Sequence, residues 1–481
     1  MSHISSFEGR NKIFLDYKNS HTENINFSCN QSGEYNTPIT TRELTTAIQS
    51  CNMSAAGGDN IHYLMLKNLS NKGIKYIRDF FNLIYLKGFF PKTWRDAIVV
   101  PILKSDSAPT DPNSYRPISL ISCLSRVLEK IINKRLIWYL EKTKLLDINQ
   151  LGYRVGKSTL DSITSLVSEV QKAFADKKYH ITVFLDLEKA FDSCWKQHVL
   201  KQFKKFNISG CLPVYIKNFL YNRTIKVKTN NTLSDPYNLQ MGIPQGSPLS
   251  ATLFLIAINC IMECIKSYMS KSVFVDDARF SYTTNDLHQG EEKMQRVLTD
   301  LVTWGDKTGF NFSGKKSVVM IFSKNTLQNV SFKLKLRNKI LDIVHQKKFL
   351  GMIFDSKLNW QAHIENIKNK TTSGLNLLKT LASSKHKTNS NLLINVYRAL
   401  ILTRIEYGCQ AYNSATKETL QILDVIHNHA IRICLGAFKT TPLNSLYVES
   451  NISSLEKRRQ FLSLEYYFKT LQIEKRKKAF K

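Results

Sequence analysis

The sequence lacks paired cysteines. Its nine cysteines are odd in number and scattered singly along 481 residues, which argues for reduced thiols in an intracellular compartment. No C-x-x-C pair accompanies His427 and His429, and residues two apart lie on different faces of a helix. A zinc site is therefore not expected, and neither is a disulfide framework.

Long hydrophobic runs are also missing. The first ten residues contain no stretch of the kind that forms the core of a secretory signal. The longest apolar run, residues 253–265, is too short to span a membrane and includes Asn259 and Glu263. We therefore expect a buried helix there, in a protein that is neither secreted nor membrane-spanning.

Acidic residues are scarce relative to basic ones. Lys and Arg total 68 against 38 Asp and Glu, which gives a formal net charge of +30. Such an excess suits a polyanionic partner bound by counterion release, with a merely soluble basic protein as the alternative. The basic cluster at 475–478 is interpreted as a solvated tail, with a nucleic-acid contact or a nuclear address as the alternatives.

Three aspartates stand at the ends of strand-like apolar runs. Asp186 ends the run that begins at Val183, and Asp276 and Asp277 follow the run that begins at Val273. Each acid alone also fits a turn or a helix cap. If folding brings them together, two carboxylates about 4 Å apart repel by roughly 4 kcal/mol at an effective dielectric of about 20. Mg²⁺ would offset this repulsion, since it is usually bound by one or two carboxylates plus substrate phosphates.

Four further motifs accompany the acids. In chain order they are Ser114–Leu120, Met241–Ser250, Gly309–Ser317 and Lys348–Asp355. With the acids, and in this order, they resemble the motifs of reverse transcriptases from non-LTR (LINE-like) retrotransposons of the jockey and I type. The resemblance runs from residue 38 to beyond residue 460, so it covers nearly the whole sequence.

The resemblance implies a metal site. Asp186, the backbone carbonyl of Leu187, and Asp276 match the family's metal ligands, and Asp277 matches an auxiliary ligand. The implied cofactor is a pair of Mg²⁺ ions, with Mn²⁺ as a substitute. Two ions about 3.5–4 Å apart can activate an attacking oxygen and stabilise a leaving one.

The resemblance also implies a nucleotide site. Phe191 matches a steric gate that stacks where a ribose 2′-hydroxyl would lie, so dNTPs should be preferred. Lys104 and Arg116 match cations that grip the triphosphate, for which lysine and a bidentate arginine are suited. Gln245 and Gly246 match residues that pack on the incoming nucleotide and the template base.

Lys316 matches a lysine that is thought to protonate the leaving pyrophosphate. Simpler interpretations stay open for several of these side chains. Phe191 could be a core residue, Lys104 and Lys316 could be solvated loop lysines, and Arg116 could buttress its loop.

The expected fold is α+β: a right-hand polymerase with fingers, a palm built on an antiparallel sheet with packed helices, and an all-α thumb. The predicted divisions are a lead-in and extension at 1–79, fingers and palm at 80–355, and a helical thumb with the C-terminal region at 356–481. Palm strands are predicted at 181–187, 273–275, 279–282 and 317–322, and palm helices at 195–207, 248–268 and 288–308.

Local patterns add detail. Residues 1–37 are polar and are expected to be irregular. A capping box is predicted at Thr40–Glu43, and Gly309 should end a helix. The fingers loop Ala55–Ile61 lacks two prolines and a glycine that the family usually has. Beyond Asn359, apolar residues recur at helical spacing in three stripes, which predicts buried helix faces.

The function implied by the resemblance is RNA-directed DNA polymerisation, in which a DNA primer in a hybrid duplex is extended with dNTPs on an RNA template. A ribonucleoprotein in the nucleus or cytoplasm is the implied setting. The alternative is a catalytically inactive retroelement remnant that binds nucleic acid. An RNA-dependent RNA polymerase is disfavoured by the aromatic gate and by Phe-Val-Asp-Asp at 274–277. Neither an endonuclease nor an RNase H is recognisable, so a fragment or truncated copy is expected, of unknown oligomeric state.

Overall fold

The computed structural model describes residues 6–7, 10–29, 33–104, 108–230, 232–325, 331–383 and 388–479. Within these ranges helices pack on both faces of a central sheet, so the expected α+β class is confirmed. The first part of the chain is mainly helical. Its elements are α1 (Lys12–Ser20), α2 (Thr41–Gln49), α3 (Tyr63–Lys67), α4 (Asn71–Leu86), β1 (Asp96–Leu103), β2 (Tyr115–Leu120), α5 (Cys123–Lys142) and α6 (Thr159–Ala175).

The middle part contains the central sheet and its helices. Its elements are β3 (Tyr179–Asp186), α7 (Ala190–Ser193), α8 (Lys196–Lys205), α9 (Cys211–Leu220), β4 (Thr224–Thr229), β5 (Thr232–Leu233), β6 (Tyr237–Asn238), α10 (Pro248–Ile258), α11 (Ile261–Cys264), β7 (Ser270–Phe274), β8 (Asp277–Thr284), α12 (Leu287–Thr308), β9 (Val318–Phe322), β10 (Lys335–Leu336), β11 (Lys339–Ile340), β12 (Asp342–Ile343), β13 (Gln346–Phe349) and β14 (Met352–Asp355).

The last part is helical, as the apolar stripes predict. Its elements are α13 (Gln361–Leu381), α14 (Ser390–Tyr397), a π-helical turn (Arg398–Leu402), α15 (Thr403–Glu406), α16 (Cys409–Tyr412), α17 (Lys417–Leu435), α18 (Leu443–Ser450) and α19 (Leu455–Ala479). Most stripe residues are buried, including Ile364, Ile401 and Leu423, whereas Leu392 is exposed. His427 is also buried in this bundle, where its Nδ1 lies 2.5 Å from the hydroxyl of Tyr397.

The central sheet has the strand order β12-β9-β3-β8-β7. Successive side chains of a strand point to opposite faces, and in β3 both faces are covered. Val183 and Leu185 belong to the hydrophobic cluster shared with α10 and α12, and Phe184 belongs to a second cluster shared with α6 and the last helices. Because neither face meets water, the end of the strand at Val183–Leu185 is a continuous apolar run rather than an alternation.

A smaller sheet stands beside the central one. Its strands follow the order β2-β1-β4-β5, with β6 also paired to β4. Strands β1 and β2 form an antiparallel pair in which Ile102 lies opposite Arg116. The amide of Lys104 donates to the carbonyl of Ser114 at 2.8 Å and continues this pairing. The end of the sheet therefore carries both cations that the sequence proposes for the triphosphate.

The prediction of one continuous helix at 248–268 is wrong in its second half. Helix α10 ends at Ile258, the short α11 follows, and β7 begins at Ser270. Asn259 explains the break, because its side chain accepts from the amide of Asp147 at 2.9 Å and donates to the carbonyl of Leu145 at 3.2 Å. Helix α10 is buried along nearly its whole length. Among the described residues, no helix is both long and apolar enough to cross a membrane.

The expectation that residues 1–37 are irregular is also wrong in part. Helix α1 packs beside α12, where the Asn11 side chain donates to Asp306 at 2.8 Å. The ring of Phe14 meets that of Trp195 edge to face at 5.6 Å. The segment has few apolar residues, and one buried aromatic ring was too weak a signal for a helix. By contrast, the capping box is confirmed by reciprocal bonds between Thr40 and Glu43, and Gly309 ends α12 in the left-handed conformation.

Four buried histidines predict a pH-dependent stability. Burial lowers the pKa of His180, His198, His363 and His427 to about 4, whereas an unfolded histidine titrates near a pKa of about 6.5. Between these values the unfolded chain binds more protons, so each histidine lowers the free energy of unfolding as the pH falls.

The comparison of the wild type with His198→Asn isolates one such group. We expect the difference between their free energies of unfolding, measured by urea denaturation, to change by at most about 1.4 kcal/mol per pH unit between pH 6.5 and 4. The change should go against the wild type as the pH falls. A difference in free energy of unfolding that stays constant over this pH range would contradict the lowered pKa of His198.

Candidate active site

The three acids converge at one end of the central sheet. In the antiparallel pairing of β3 with β8, Asp186 lies directly opposite Asp277. Asp276 is in the two-residue turn between β7 and β8, because Phe274 pairs with Asp277 across the hairpin. Both acids of the doublet therefore lie at the tip of a hairpin, beside the end of β3.

The hairpin turn has an unusual backbone. Val275 has φ +61°, which is costly for a β-branched residue and is most often found at functional sites. The turn packs against Gly152, where a Cβ atom would lie 2.6 Å from the Val275 amide nitrogen. A larger residue at position 152 would displace the turn, so this contact sets the place of Asp276.

The three acids bring like charges close together, and burial and this proximity both affect their pKa values. Burial raises the pKa of Asp277 to about 6, and Asp276 and Asp186 add to the rise. Burial also raises the pKa of Asp186, against the opposing effect of Lys316 and with a contribution from Asp276. The negative charge at this point is thus only partly compensated by the protein.

The end of β3 is tied to the loop that follows α12. The amide of Asp186 donates to Ser317 Oγ at 3.1 Å, and its carbonyl accepts from the Ser313 amide at 2.8 Å. The amide of Glu188 donates to the carbonyl of Asn311, also at 2.8 Å. None of these three bonds uses the carbonyl oxygen of Leu187, the residue between Asp186 and Glu188.

Two lysines reach the acids from the same side. Lys316 Nζ lies 3.7 Å from Asp186 Oδ2. Lys347 Nζ donates to the backbone carbonyl of Lys316 at 3.0 Å, and burial lowers the pKa of Lys347 while Asp186 and Asp277 oppose that effect. No motif in the sequence pointed to Lys347. Lys347 shares a face of β13 with Phe349, whose ring lies 4.9 Å from that of Phe184 in β3, so tertiary packing rather than a local pattern brings it to the acids.

Phe191 lies in the short helix α7, shortly after Asp186 in the chain. Its ring stacks on Phe254 of α10 with centroids 4.7 Å apart and planes inclined by 20°. Its carbonyl accepts from the Ile243 amide at 3.0 Å, which binds α7 to the loop before α10. The ring is only partly buried, so one part of it packs in the core and another part borders open space.

The loop before α10 is pressed against β2. The carbonyl of Gln245 accepts from the Ser119 amide at 2.7 Å. Gly246 has φ +118°, and a Cβ atom there would lie 2.6 Å from the Ser119 carbonyl oxygen, so only glycine fits. The Gln245 side chain donates to Asp192 Oδ1 at 3.3 Å. Gln245, Gly246 and Phe191 are therefore held at one place.

Cations surround Asp192. Burial raises the pKa of this carboxyl group to about 6, and Lys189, Arg10 and Lys104 oppose the rise. Lys104 Nζ also donates to the carbonyl of Asn113 at 2.8 Å. Arg10 comes from the N-terminal segment, and no motif in the sequence pointed to it. Lys104 thus contributes positive charge near Asp192, to which the Gln245 side chain donates.

Arg116 stands apart from this cluster. Its side chain is exposed, and among the described residues it makes no hydrogen bond or ion pair with the other candidate residues. Its position opposite Ile102 places it on the same sheet end as Lys104. A guanidinium in this setting is accessible to an anion from solution.

The donor set suits a hard cation that brings further ligands. In the described part of the chain, no three His, Cys, Asp or Glu side chains are arranged to hold a metal ion by themselves. Mg²⁺ does not need such a cage, since it usually binds one or two carboxylates, waters and substrate phosphates. Two adjacent carboxyl groups with raised pKa values present the uncompensated charge that such an ion neutralises.

Comparisons with known proteins agree with this geometry. The family model described as reverse transcriptase (RNA-dependent DNA polymerase) matches residues 102–354, which include every candidate site residue predicted from the sequence. A probable RNA-directed DNA polymerase from transposon BS of Drosophila melanogaster is 28% identical over 87% of this chain and 47% of its own length. The RNA-directed DNA polymerase from mobile element jockey of the same species is 25% identical over 80% of this chain and 42% of its own length.

This chain thus spans slightly less than half of the curated relatives that it matches. Among solved structures, an apo telomerase from Candida tropicalis aligns with 63% of this chain and 62% of its own, at 13% identity and a TM-score of 0.38. The family match covers more than half of the 481 residues and includes both strands that bring the acids together. The right-hand fold and the jockey-type resemblance expected from the motifs are confirmed, and the chain belongs to the reverse transcriptase (RNA-dependent DNA polymerase) family.

Proposed function

We propose that this chain is an RNA-directed DNA polymerase of a non-LTR retrotransposon, which extends a DNA primer with dNTPs on an RNA template. The observation that carries the proposal is the convergence of Asp186, Asp276 and Asp277 at one sheet end. Phe191 and the Gln245 loop adjoin the same end through α7. Acids, gate and loop together fit a site for nucleotidyl transfer.

In this proposal the acids and the Leu187 carbonyl would hold the divalent metal ions that assist nucleotidyl transfer. Two bound Mg²⁺ ions, or Mn²⁺ in their place, would lower the pKa of the primer 3′-hydroxyl and neutralise charge on the phosphates. The protein contributes the spacing, because Asp186 and Asp277 are fixed by strand pairing rather than by loops. Fixed ligands require little rearrangement when the nucleotide arrives.

Lys316 is the proposed proton donor. Its ammonium group lies 3.7 Å from Asp186, so it stands beside the place where the pyrophosphate would depart. A proton delivered from Nζ to the leaving oxygen avoids the release of a highly charged anion. The hydrogen bond from Lys347 to the Lys316 backbone holds this lysine's chain segment against β13.

The nucleotide would lie between Phe191 and the end of the smaller sheet. Lys104 and Arg116 would bind the triphosphate, as a point charge and as a bidentate donor respectively. The ring of Phe191, backed by Phe254, would exclude a 2′-hydroxyl by shape because packed interiors do not yield. Gln245 and Gly246 would contact the base and the template.

The template and primer strands would be bound mainly through their backbones. The net charge of +30 favours binding of a polyanion and makes it salt-dependent. A hybrid near A-form is recognised by shape and phosphate contacts rather than by its base edges. The experiment that tests the whole proposal is primer extension by the purified chain on a poly-rA template with an oligo-dT primer. Incorporation of dTTP with Mg²⁺ or Mn²⁺ supports it, and incorporation of UTP alone would favour an RNA polymerase.

Replacement of one acid tests the metal site. We expect Asp276→Asn to lower dTTP incorporation by about 100-fold or more, because a neutral amide is a poor ligand for a hard cation. Binding of the hybrid duplex, measured by fluorescence anisotropy, should be nearly unchanged. Asp235→Asn is the matched control, since it removes the same charge at an exposed position away from the site. Incorporation by Asp276→Asn at a tenth of the wild-type rate or more would count against the metal-ligand role.

Replacement of the gate tests the sugar specificity. In Phe191→Val the smaller side chain should admit a 2′-hydroxyl, and we expect the ratio of kcat/KM for dTTP over UTP to fall by about tenfold or more. Phe191→Tyr keeps the ring and should keep the discrimination. The measurement is single-nucleotide extension with each substrate. An unchanged ratio in Phe191→Val would remove the gate assignment.

A further inference from the structure

A buried carboxylate from the helix next to the smaller sheet holds the nucleotide-facing loop. Glu129 of α5 is fully buried. Its Oε1 accepts from the hydroxyl of Ser125 at 2.7 Å, and its Oε2 accepts from the hydroxyl of Ser247 at 2.5 Å. Ser125 is one turn away on the same helix, but Ser247 is separated from Glu129 by 118 residues. The second bond therefore ties α5 to the loop before α10.

The Ser247 side chain is held in one orientation. Its Oγ also accepts from the Leu249 amide at 3.1 Å, which caps α10, and Pro248 occupies the first position of that helix. A hydroxyl has one proton to donate, and Ser247 uses it in the hydrogen bond to Glu129. The chain on the N-terminal side of Ser247 is Gln245-Gly246, whose backbone is pressed against Ser119. The loop is thus held by α5 at one end and by β2 at the other.

Burial of the Glu129 carboxylate would cost free energy without a benefit if its role were packing alone. A buried charge costs several kcal/mol unless it is paired and hydrogen-bonded. Burial raises the pKa of Glu129, while the two serine hydroxyls and the nearby Arg223 and Arg126 oppose the rise. Arg223 is itself buried and donates to the carbonyls of Phe219 and Trp94. An ionised carboxylate accepts at both oxygens, which suits the two hydroxyls that point at it.

We propose that Glu129 is a positioning residue for the nucleotide site, which acts through Ser247 to hold Gln245 and Gly246 against the incoming nucleotide. The assignment rests on the polymerase function proposed above. Glu129 does not touch the acids, and its bond ends on the loop that also reaches Asp192 beside Phe191. Its loss should therefore weaken nucleotide binding and leave the chemical step at the acids nearly intact.

Steady-state extension with dTTP on poly-rA and oligo-dT provides the test. In Glu129→Ala we expect the KM for dTTP to rise about tenfold, the effect of one lost bond to a charged group, with kcat within about threefold of the wild type. Ser247→Ala should shift KM in the same direction. Glu129→Gln keeps an acceptor for Ser247 and should restore KM to near the wild-type value, as should Ser247→Thr.

Ser125→Ala is the matched control. It removes the other hydroxyl bonded to the same carboxylate but has no connection to the loop. A role in packing alone predicts a wild-type KM in both Ser125→Ala and Ser247→Ala, although Ser247→Ala also loses the cap of α10 and should lose more thermal stability. The positioning role predicts that only Ser247→Ala raises KM. Where Glu129→Ala does not fold, the pair still tests the assignment, and Ser247→Thr, which keeps both the bond to Glu129 and the cap, should then keep the wild-type KM.

The two proposals fail in different ways. A wild-type chain that is folded but extends no primer would overturn the polymerase function, and this assignment with it. An active wild type whose KM for dTTP is unchanged in Ser247→Ala and Glu129→Ala would overturn the assignment of Glu129 alone.

Discussion

The pairing of β3 with β8 is the interaction on which the candidate site depends. It sets Asp186 beside Asp277 and brings the Asp276 turn to the same sheet end. Two unit charges about 4 Å apart would repel by roughly 4 kcal/mol at an effective dielectric of about 20. The sheet tolerates this because β3 is clamped between two hydrophobic clusters, one on each face. Lys316 and Lys347 supply positive charge near the acids. They compensate the negative charge only in part, as the raised pKa of Asp277 indicates.

The proposed nucleotide site is assembled from parts that are distant in the sequence. The loop before α10 meets β2 through Ser119, α5 through Ser247 and α7 through Gln245. These bonds join the smaller sheet to the central one at the place where the base and sugar of a nucleotide would lie. A shift of α5 or β2 would move the loop with it, and with the loop the proposed contacts to the nucleotide.

Much of this arrangement is predictable from the amino-acid sequence. The acids, the helix that Gly309 ends and the helical last part of the chain all follow from short-range patterns of charge, glycine and apolar spacing. Helix α1 was missed because its single strongly buried ring, Phe14, makes no periodic signal. The break at Asn259 was missed because a polar residue in an apolar helix is normally tolerated, and only its bonds to Leu145 and Asp147 show why the helix ends.

The residues that carry the chemistry, and the order of the elements that hold them, are legible in the sequence because apolar periodicity and motif order are properties of the chain. The side chains that surround those residues are a matter of tertiary packing. Three of these side chains lie far in sequence from the acids or from the loop before α10: Lys347, Arg10 and Glu129. They come close only because their secondary-structure elements pack together in the fold. Such contacts depend on strand register and helix docking, which no local pattern encodes.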